Sequence, residues 1–289
     1  MQSKRSLLIG SFDGLHLGHQ FLIEEFKSES LNRSANPSVL TYQSHPLKVI
    51  KPNLLNYYID SDEKRVARLS KEVSTIAANF EEFREMSASH FFEKLTSSYK
   101  DIKYIFMGHD SSFGCDKVSD VKTLNSLNLD LEFIPLPKYH QFDVSSTILR
   151  EAIREGKLDK FYKLTRRDFS IESKVIPGKQ LGRTIGYPTA NLYVDPSRVR
   201  LPNGVYYGHV AIKKLVYKFV ANIGLRPTVD DDEAISIEAH ILDFDQDIYG
   251  KKISLRIDGK VRGIKKFNSK DDLMKQITKD VEFVRGIDV

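Results

Sequence analysis

The chain has 289 residues, long for one domain and comfortable for two, and with 40% apolar and 29% charged residues it has the composition of a globular protein, not of a disordered tail. Its single cysteine, Cys115, excludes an internal disulfide framework and a thiolate zinc cage, and no apolar stretch approaches the roughly eighteen residues of a membrane span. The net charge of +5 is uneven: residues 1–160 hold 21 Lys+Arg against 22 Asp+Glu, and the remainder 23 against 17, an excess that suits a nucleic-acid face, a polyphosphate-handling domain or a solvated surface. The apolar run of the N-terminal MQSKRSLLIG stops at Gly10, too short for a signal-peptide core, so the expected location is the cytoplasm, with no membrane partner.

In chain order, Ser6–Gly10, Ser38–Tyr42, Tyr104–Gly108 and Leu131–Leu136 are short apolar runs bounded by turn residues. Helical patterns lie between them at Gln20–Ser28, Asp60–Ser70, Ser87–Ser98 and Val118–Leu127. Strands alternating with helices predict crossover units, so residues 1–160 are expected to form a doubly wound α/β domain on a parallel sheet. A helix follows in VSSTILREAIREG, capped by Ser145, Ser146 and Thr147 and stopped at Gly156, and then a charged connector, Lys157–Arg167. Beyond it FSIESKVI, GVYYGHVAI, YKFVANIG, ISIEAHILDF and KKISLRI read as closely spaced strands, followed by one helix, Lys270–Val281. Residues 161–289 are expected to be a small antiparallel β-barrel with a C-terminal helix.

The most informative stretch is IGSFDGLHLGHQFLIEEF. A strand ends at Ile9, a turn carries Gly10, Phe12, Asp13 and Gly14, and His16 and His19 straddle Gly18 where a helix begins. Glycines let backbone N–H groups approach a phosphate, the helix start adds oriented donors, and two imidazoles can donate to non-bridging oxygens during displacement at phosphorus. A metal pair is the weaker reading, since no third ligand stands nearby. Asp13 serves either a metal-bound nucleotide or the turn itself.

This stretch resembles the HxGH nucleotidyltransferases, and the fuller GSFDGLHLGHQ resembles their flavin-specific bacterial branch, the bifunctional riboflavin kinase/FMN adenylyltransferases, or FAD synthetases. The resemblance continues in TYQSHPLKVIKP, which keeps His45 and Pro46, and in MGHDSSFG, which keeps Gly108, Asp110, Phe113 and Gly114. It reaches VSSTILREAI, which carries the SSTxxR pattern at Ser145, Ser146, Thr147 and Arg150. It implies a Rossmann-like fold in which Gly10, Phe12, Asp13, Gly14, Gly18 and Ser145–Thr147 bind ATP, and His16, His19 and Arg150 act in catalysis. His45, Pro46, Asp110 and Phe113 would shape the FMN pocket.

In the second half, VIPGKQLGRTIGYPTANL sets Gly178, Gly182 and Gly186 in a loop bearing Lys179 and Arg183 and running into extended Pro188–Asn191. Extended residues two apart face the same way, so Thr189 and Asn191 offer converging hard oxygens of the kind Mg2+ takes, although an Asx turn explains the same pair. The string GRTIGYPTAN is similar to the riboflavin kinase signature, and PNGVYYGHV, NIGLRPT and IEAHILDFDQDIYGKKISL follow in the family's order. The resemblance implies ATP binding by the glycine loop with Lys179 and Arg183, Mg2+ at Thr189 and Asn191, and Glu238 as general base for the riboflavin 5'-hydroxyl. Arg262 would touch flavin. One departure stands out: the family's RDEKKF-like segment reads Arg262-Gly263-Ile264-Lys265-Lys266-Phe267, without the acidic pair.

The resulting expectation is a multifunctional transferase of FAD biosynthesis: riboflavin plus ATP gives FMN in residues 161–289, and FMN plus ATP gives FAD and pyrophosphate in residues 1–160. A second reading keeps the adenylyltransferase and makes the barrel a weakened or regulatory kinase-like module. A third, RNA contact through the cations of 251–266, lacks aromatic residues interleaved for base stacking, so no nucleic-acid partner is expected.

Overall fold

The run Leu7-Leu8-Ile9 has no polar alternation, so its strand must be covered on both faces. The structure, a computed structural model, describes residues 4–127, 129–140, 143–178, 182, 185–226 and 234–287. In it β1 (Lys4–Ile9) is the central strand of a five-stranded parallel sheet. Its neighbours are β2 (Ala35–Tyr42) and β4 (Ile102–Met107), with β3 (Ser74–Ala78) and β5 (Glu132–Pro135) at the edges, in the order β3-β2-β1-β4-β5. Leu7 and Ile9 join a core with Phe91, Phe92 and Ile105, and Leu8 joins another with Ile23, Phe26, Val39 and Phe106. Each such side chain contributes roughly 1.5–3 kcal/mol on burial.

The crossovers carry α1 (Leu17–Asn32), a short α2 (Pro46–Ile50), α3 (Asp62–Glu72), α4 (Ala88–Ser98) and α5 (Val121–Asn125). Ser61 and Ser87 cap α3 and α4 by accepting from the Lys64 and His90 amides, each cap stabilising by about 1 kcal/mol. The chain winds outward from β1 to β3, then returns to the other side of β1 for β4 and β5. The reversal between β1 and β4 opens a crevice at the carboxyl ends of those strands, and the turns after both strands face it.

Several elements differ from the sequence expectation, α2 and the barrel strand at Ala190–Val194 among them. The weakly patterned edge strand β3 has no fully buried residue, so no alternation announces it. The charged connector is in fact a helix, α7 (Leu158–Thr165), following α6 (Ser146–Arg154): Phe161, Leu164 and Thr165 bury one face while Asp159, Lys160 and Lys163 stay in solvent.

The second half is a closed six-stranded barrel in the order β10-β7-β6-β11-β8-β9, every neighbouring pair antiparallel. Its strands are β6 (Ser170–Ile176), β7 (Ala190–Val194), β8 (Gly204–Ile212), β9 (Leu215–Arg226), β10 (Ala234–Ile241) and β11 (Lys252–Arg262). Closure removes exposed edges, and α8 (Lys270–Arg285) lays Val281 and Val284 on Val205, Val220 and Leu242. The chain divides into two compact units, Met1–Leu54 with Tyr58–Leu149, and Leu55–Tyr57 with Arg150–Val289.

Candidate active sites

After β1 the backbone enters a turn whose Phe12, Gly14 and Leu15 all have positive φ, 51°, 79° and 38°. Two of these are not glycine, a strained arrangement that must be held by its surroundings. Buried Asp13 does much of the holding, accepting the Ile59 amide at 3.2 Å and the Asp60 amide at 3.4 Å. Of its two readings, this geometry displays the turn-fixing one.

His16 is the N-cap of α1, its Nδ1 accepting the His19 amide at 3.2 Å. In the neutral ring that places the proton on Nε2. The His16 and His19 rings stack with centroids 3.7 Å apart, and Phe12 stands edge-on to His19. Gly18 allows the stack: a Cβ there would lie 3.2 Å from His16 Nδ1. His19 Nδ1 is enclosed with no hydrogen-bond partner in the described structure, and burial, with the neighbouring His16 second, pushes the His19 pKa well below 6.5. His19 is therefore a neutral imidazole at pH 7.

A cavity of about 400 Å³ opens beside this pair at the β1/β4 crevice. Of the expected residues it brings together Gly10, Phe12, His19, Pro46, Asp110 and Phe113. Tyr42, Phe80, Phe83 and Arg84 also line it, and sequence reading did not single them out. Tyr42 stays a protonated phenol, its pKa pushed up to about 12 by burial. His45 does not line the cavity: it caps α2, accepting the Leu47 amide, and stands 5.0 Å from the Tyr58 ring. Gly114, with φ 74°, could not be another residue, since a Cβ would lie 2.3 Å from the Ala88 amide nitrogen.

The SSTxxR residues divide. Ser145 Oγ caps α6 by accepting the Ile148 amide, and Ser146 Oγ donates to the Asp13 carbonyl at 2.8 Å, tying the helix start to the turn. Thr147 is exposed. Arg150 is buried with its Nε donating to the Tyr57 carbonyl at 2.8 Å and its guanidinium 3.8 Å from the Tyr57 ring centre, both residues of the second unit. Neither Thr147 nor Arg150 lines the first cavity.

In the barrel, Ile235, Ile237, Ala239 and Ile241 of β10 are buried and alternate with partly buried Ser236, Glu238 and His240. Register sets Glu238 opposite Asn191 of β7 on one side and Asn222 of β9 on the other, so the three form one row on the barrel's outer face. Asn191 is buried; Gly178 lies against it, where a Cβ would come within 2.2 Å of its amide. The Gly182 carbonyl accepts the Ile185 and Tyr187 amides, and Gly186 has φ 83°. Lys179 and Arg183 lie outside the described residues. Tyr187, which the sequence reading passed over, fastens the loop: its hydroxyl is 2.7 Å from Thr278 Oγ1 of α8, and His240 Nδ1 donates to the Pro188 carbonyl.

A second cavity, about 410 Å³, lies beside Thr189 with Val175, Ala239 and Ile241 as its apolar floor and residues 244–249 around it. Arg262 forms a fork on the buried Asp280 carboxylate of α8, at 2.8–3.0 Å, which Gln276 also holds.

A glycine-bearing turn at the switch point of a parallel sheet, followed in the chain by a closed barrel that carries an Asn-Glu-Asn row, has the architecture of a two-domain nucleotide-dependent transferase. An FAD synthetase family model matches residues 1–148 and a riboflavin kinase model matches residues 165–287. The bifunctional riboflavin kinase/FMN adenylyltransferase of Haemophilus influenzae is 32% identical, covering 97% of this chain and 93% of its own. That of Buchnera aphidicola is 30% identical over 99% and 94%. The chain belongs to the bifunctional riboflavin kinase/FMN adenylyltransferase family. A crystal structure described as a macrolide-efflux protein from Streptococcus pneumoniae shares the fold, with a TM-score of 0.82, 30% identity and coverage of 100% and 96%. In the present chain no helix among the described residues is long and apolar enough to cross a membrane.

Proposed function

We propose that this chain makes FMN from riboflavin and FAD from FMN, each with ATP, at the two sites described, with the functional boundary near residue 160. The observation carrying the adenylyltransferase assignment is the stacked His16–His19 pair, of which His19 lines the β1/β4 cavity. There an FMN phosphate oxygen attacks the α-phosphorus of ATP, an O–P bond forms, and the bond to the β-phosphate oxygen breaks to release pyrophosphate. The two imidazoles donate N–H groups to oxygens that gain charge, and the start of α1 adds its dipole. The aromatic wall of Tyr42, Phe80, Phe83 and Phe113 suits the flavin ring.

In the barrel we assign Glu238 as the base that takes the proton of the riboflavin 5'-hydroxyl while that oxygen bonds to the γ-phosphorus and ADP leaves. The apolar floor beside Thr189 fits an adenine ring with the phosphates toward the glycine loop. The hydroxyl and amide oxygens of Thr189 and Asn191 fit Mg2+, which takes hard oxygen donors and completes its shell with phosphate and water. Bound there, the ion would supply charge neutralisation to the phosphates. We place the enzyme in the cytoplasm, in keeping with its lone thiol.

Chromatography of flavins after incubation with ATP and Mg2+ tests the assignment, once from riboflavin and once from FMN. Both conversions are expected. FAD from FMN without FMN from riboflavin selects the second reading, an adenylyltransferase with a weakened kinase, which Gly263 and exposed Ile264 in place of the family's acidic pair favour. Neither conversion overturns both.

A further inference from the structure

Arg65 of α3 is a buried cation that the chemistry above does not use, its side chain only 2% exposed. Nη1 donates to the Ser11 carbonyl at 3.0 Å and to Thr41 Oγ1 at 2.7 Å; Nη2 donates to the Tyr42 carbonyl and to Asp62 Oδ1 at 3.4 Å. Ser11 follows β1 and Tyr42 ends β2, and both line the first cavity. A trans peptide points its C=O and N–H in opposite directions. With the Ser11 carbonyl turned to Arg65, the Phe12 amide is turned away from it, in the turn that faces the cavity. Asp62 extends the connection: Oδ1 accepts the His45 amide at 3.0 Å and Oδ2 accepts Lys48 Nζ at 2.8 Å, so the same pair reaches the His45-Pro46 segment on the flavin side. Burial works to raise the Asp62 carboxyl, but the hydrogen bond and charge of Lys48, the charge of Arg65 and the His45 amide together hold it below the usual carboxylate range.

We propose that Arg65 is a positioning residue for adenylyl transfer: its planar fork fixes the Ser11 peptide so that the turn after β1 presents its amides to the ATP polyphosphate, and through Asp62 it sets that turn against the flavin-side segment. The proposal rests on the assignment of the β1/β4 cavity to FMN adenylylation. A lysine at this position keeps the charge but cannot reach four acceptors in one plane. Loss of the fork therefore acts on the reacting geometry, which a 1 Å displacement slows by orders of magnitude, and loss of the Asp62 carboxylate acts on flavin binding.

The test is steady-state FAD formation from FMN and ATP by the full chain, with FMN formation from riboflavin as the fold control. Arg65→Met and Arg65→Lys are each expected to lower kcat by about tenfold or more with KM for FMN within about threefold, and FMN formation unchanged. Asp62→Asn is expected to raise KM for FMN about fivefold with kcat within about threefold. Wild-type kcat in Arg65→Lys overturns the proposal, as does a kcat loss in Asp62→Asn without a change in KM for FMN. If Arg65→Met fails to fold, Arg65→Lys and Asp62→Asn decide. His19→Ala in the same assay separates the levels. Should it leave FAD formation intact, the cavity assignment falls and the proposal with it; should it abolish FAD formation while the Arg65 variants do not, only the positioning role is overturned.

Discussion

At the scale of single residues, the His16–His19 stack links protonation to fold. His19 titrates lower in the folded chain than its ordinary 6.5 because burial and His16 disfavour its charged form. Between 6.5 and the lower folded value the unfolded chain binds more protons, so stability is complete above about pH 6.5 and is lost as the pH falls through that window. Urea midpoints at pH 7.5 and pH 5.5 are expected to differ more in the wild type than in His19→Gln; equal differences would remove His19 from the acid response. Catalytically, His19→Ala is expected to cost FAD formation about a hundredfold or more while sparing FMN formation, and Glu238→Gln to do the reverse, read by product chromatography. These residues were legible because each has a chemical type that its spacing explains. Arg65 was not: Asp62-Glu63-Lys64-Arg65 reads as a solvated charge run, and only the packing of α3 against the ends of β1 and β2 shows that its fourth member points inward.

At the scale of elements, glycine positions report how closely segments approach. Gly18→Ala would set a methyl 3.2 Å from the His16 ring, and the ring must give by a few tenths of an ångström. FAD formation is expected to fall about tenfold with FMN formation unchanged; full activity would mean that the stack tolerates displacement. The loop held by Tyr187 makes a parallel case in the barrel. Tyr187→Phe removes the contact with Thr278 while keeping the ring edge on His240, and KM for ATP in the kinase reaction is expected to rise about threefold. The sequence carried the strands of both sheets that have apolar runs or alternation, such as Leu7–Ile9 and Ile235–Ile241. It did not carry β3, whose edge position needs no strong pattern, nor α7, whose buried Phe161 and Leu164 are outnumbered by charges in a short window. Tyr187 escaped for a different reason: its partner Thr278 lies 91 residues away, and nothing local marks a hydroxyl contact of that span.

At the scale of the whole molecule, two activities in one polypeptide give every variant an internal reference, since damage confined to one site leaves the other reaction as a report on folding. The basic excess of residues 161–289 falls in the half of the chain that the riboflavin kinase model matches. The three residues Leu55–Tyr57 carry one more implication. They belong to the second unit although they lie within the first in sequence, pairing with Pro196 and Ser197 through the Asn56 and Tyr57 amides and accepting Arg150 and Arg154 at their carbonyls. The polypeptide therefore passes from one unit to the other at three places, and the gene has no single point at which it separates into two complete coding segments. Any dissection that cuts once near residue 150 leaves the barrel without a stretch that its own arginines hold, so modularity of function here does not extend to modularity of the chain.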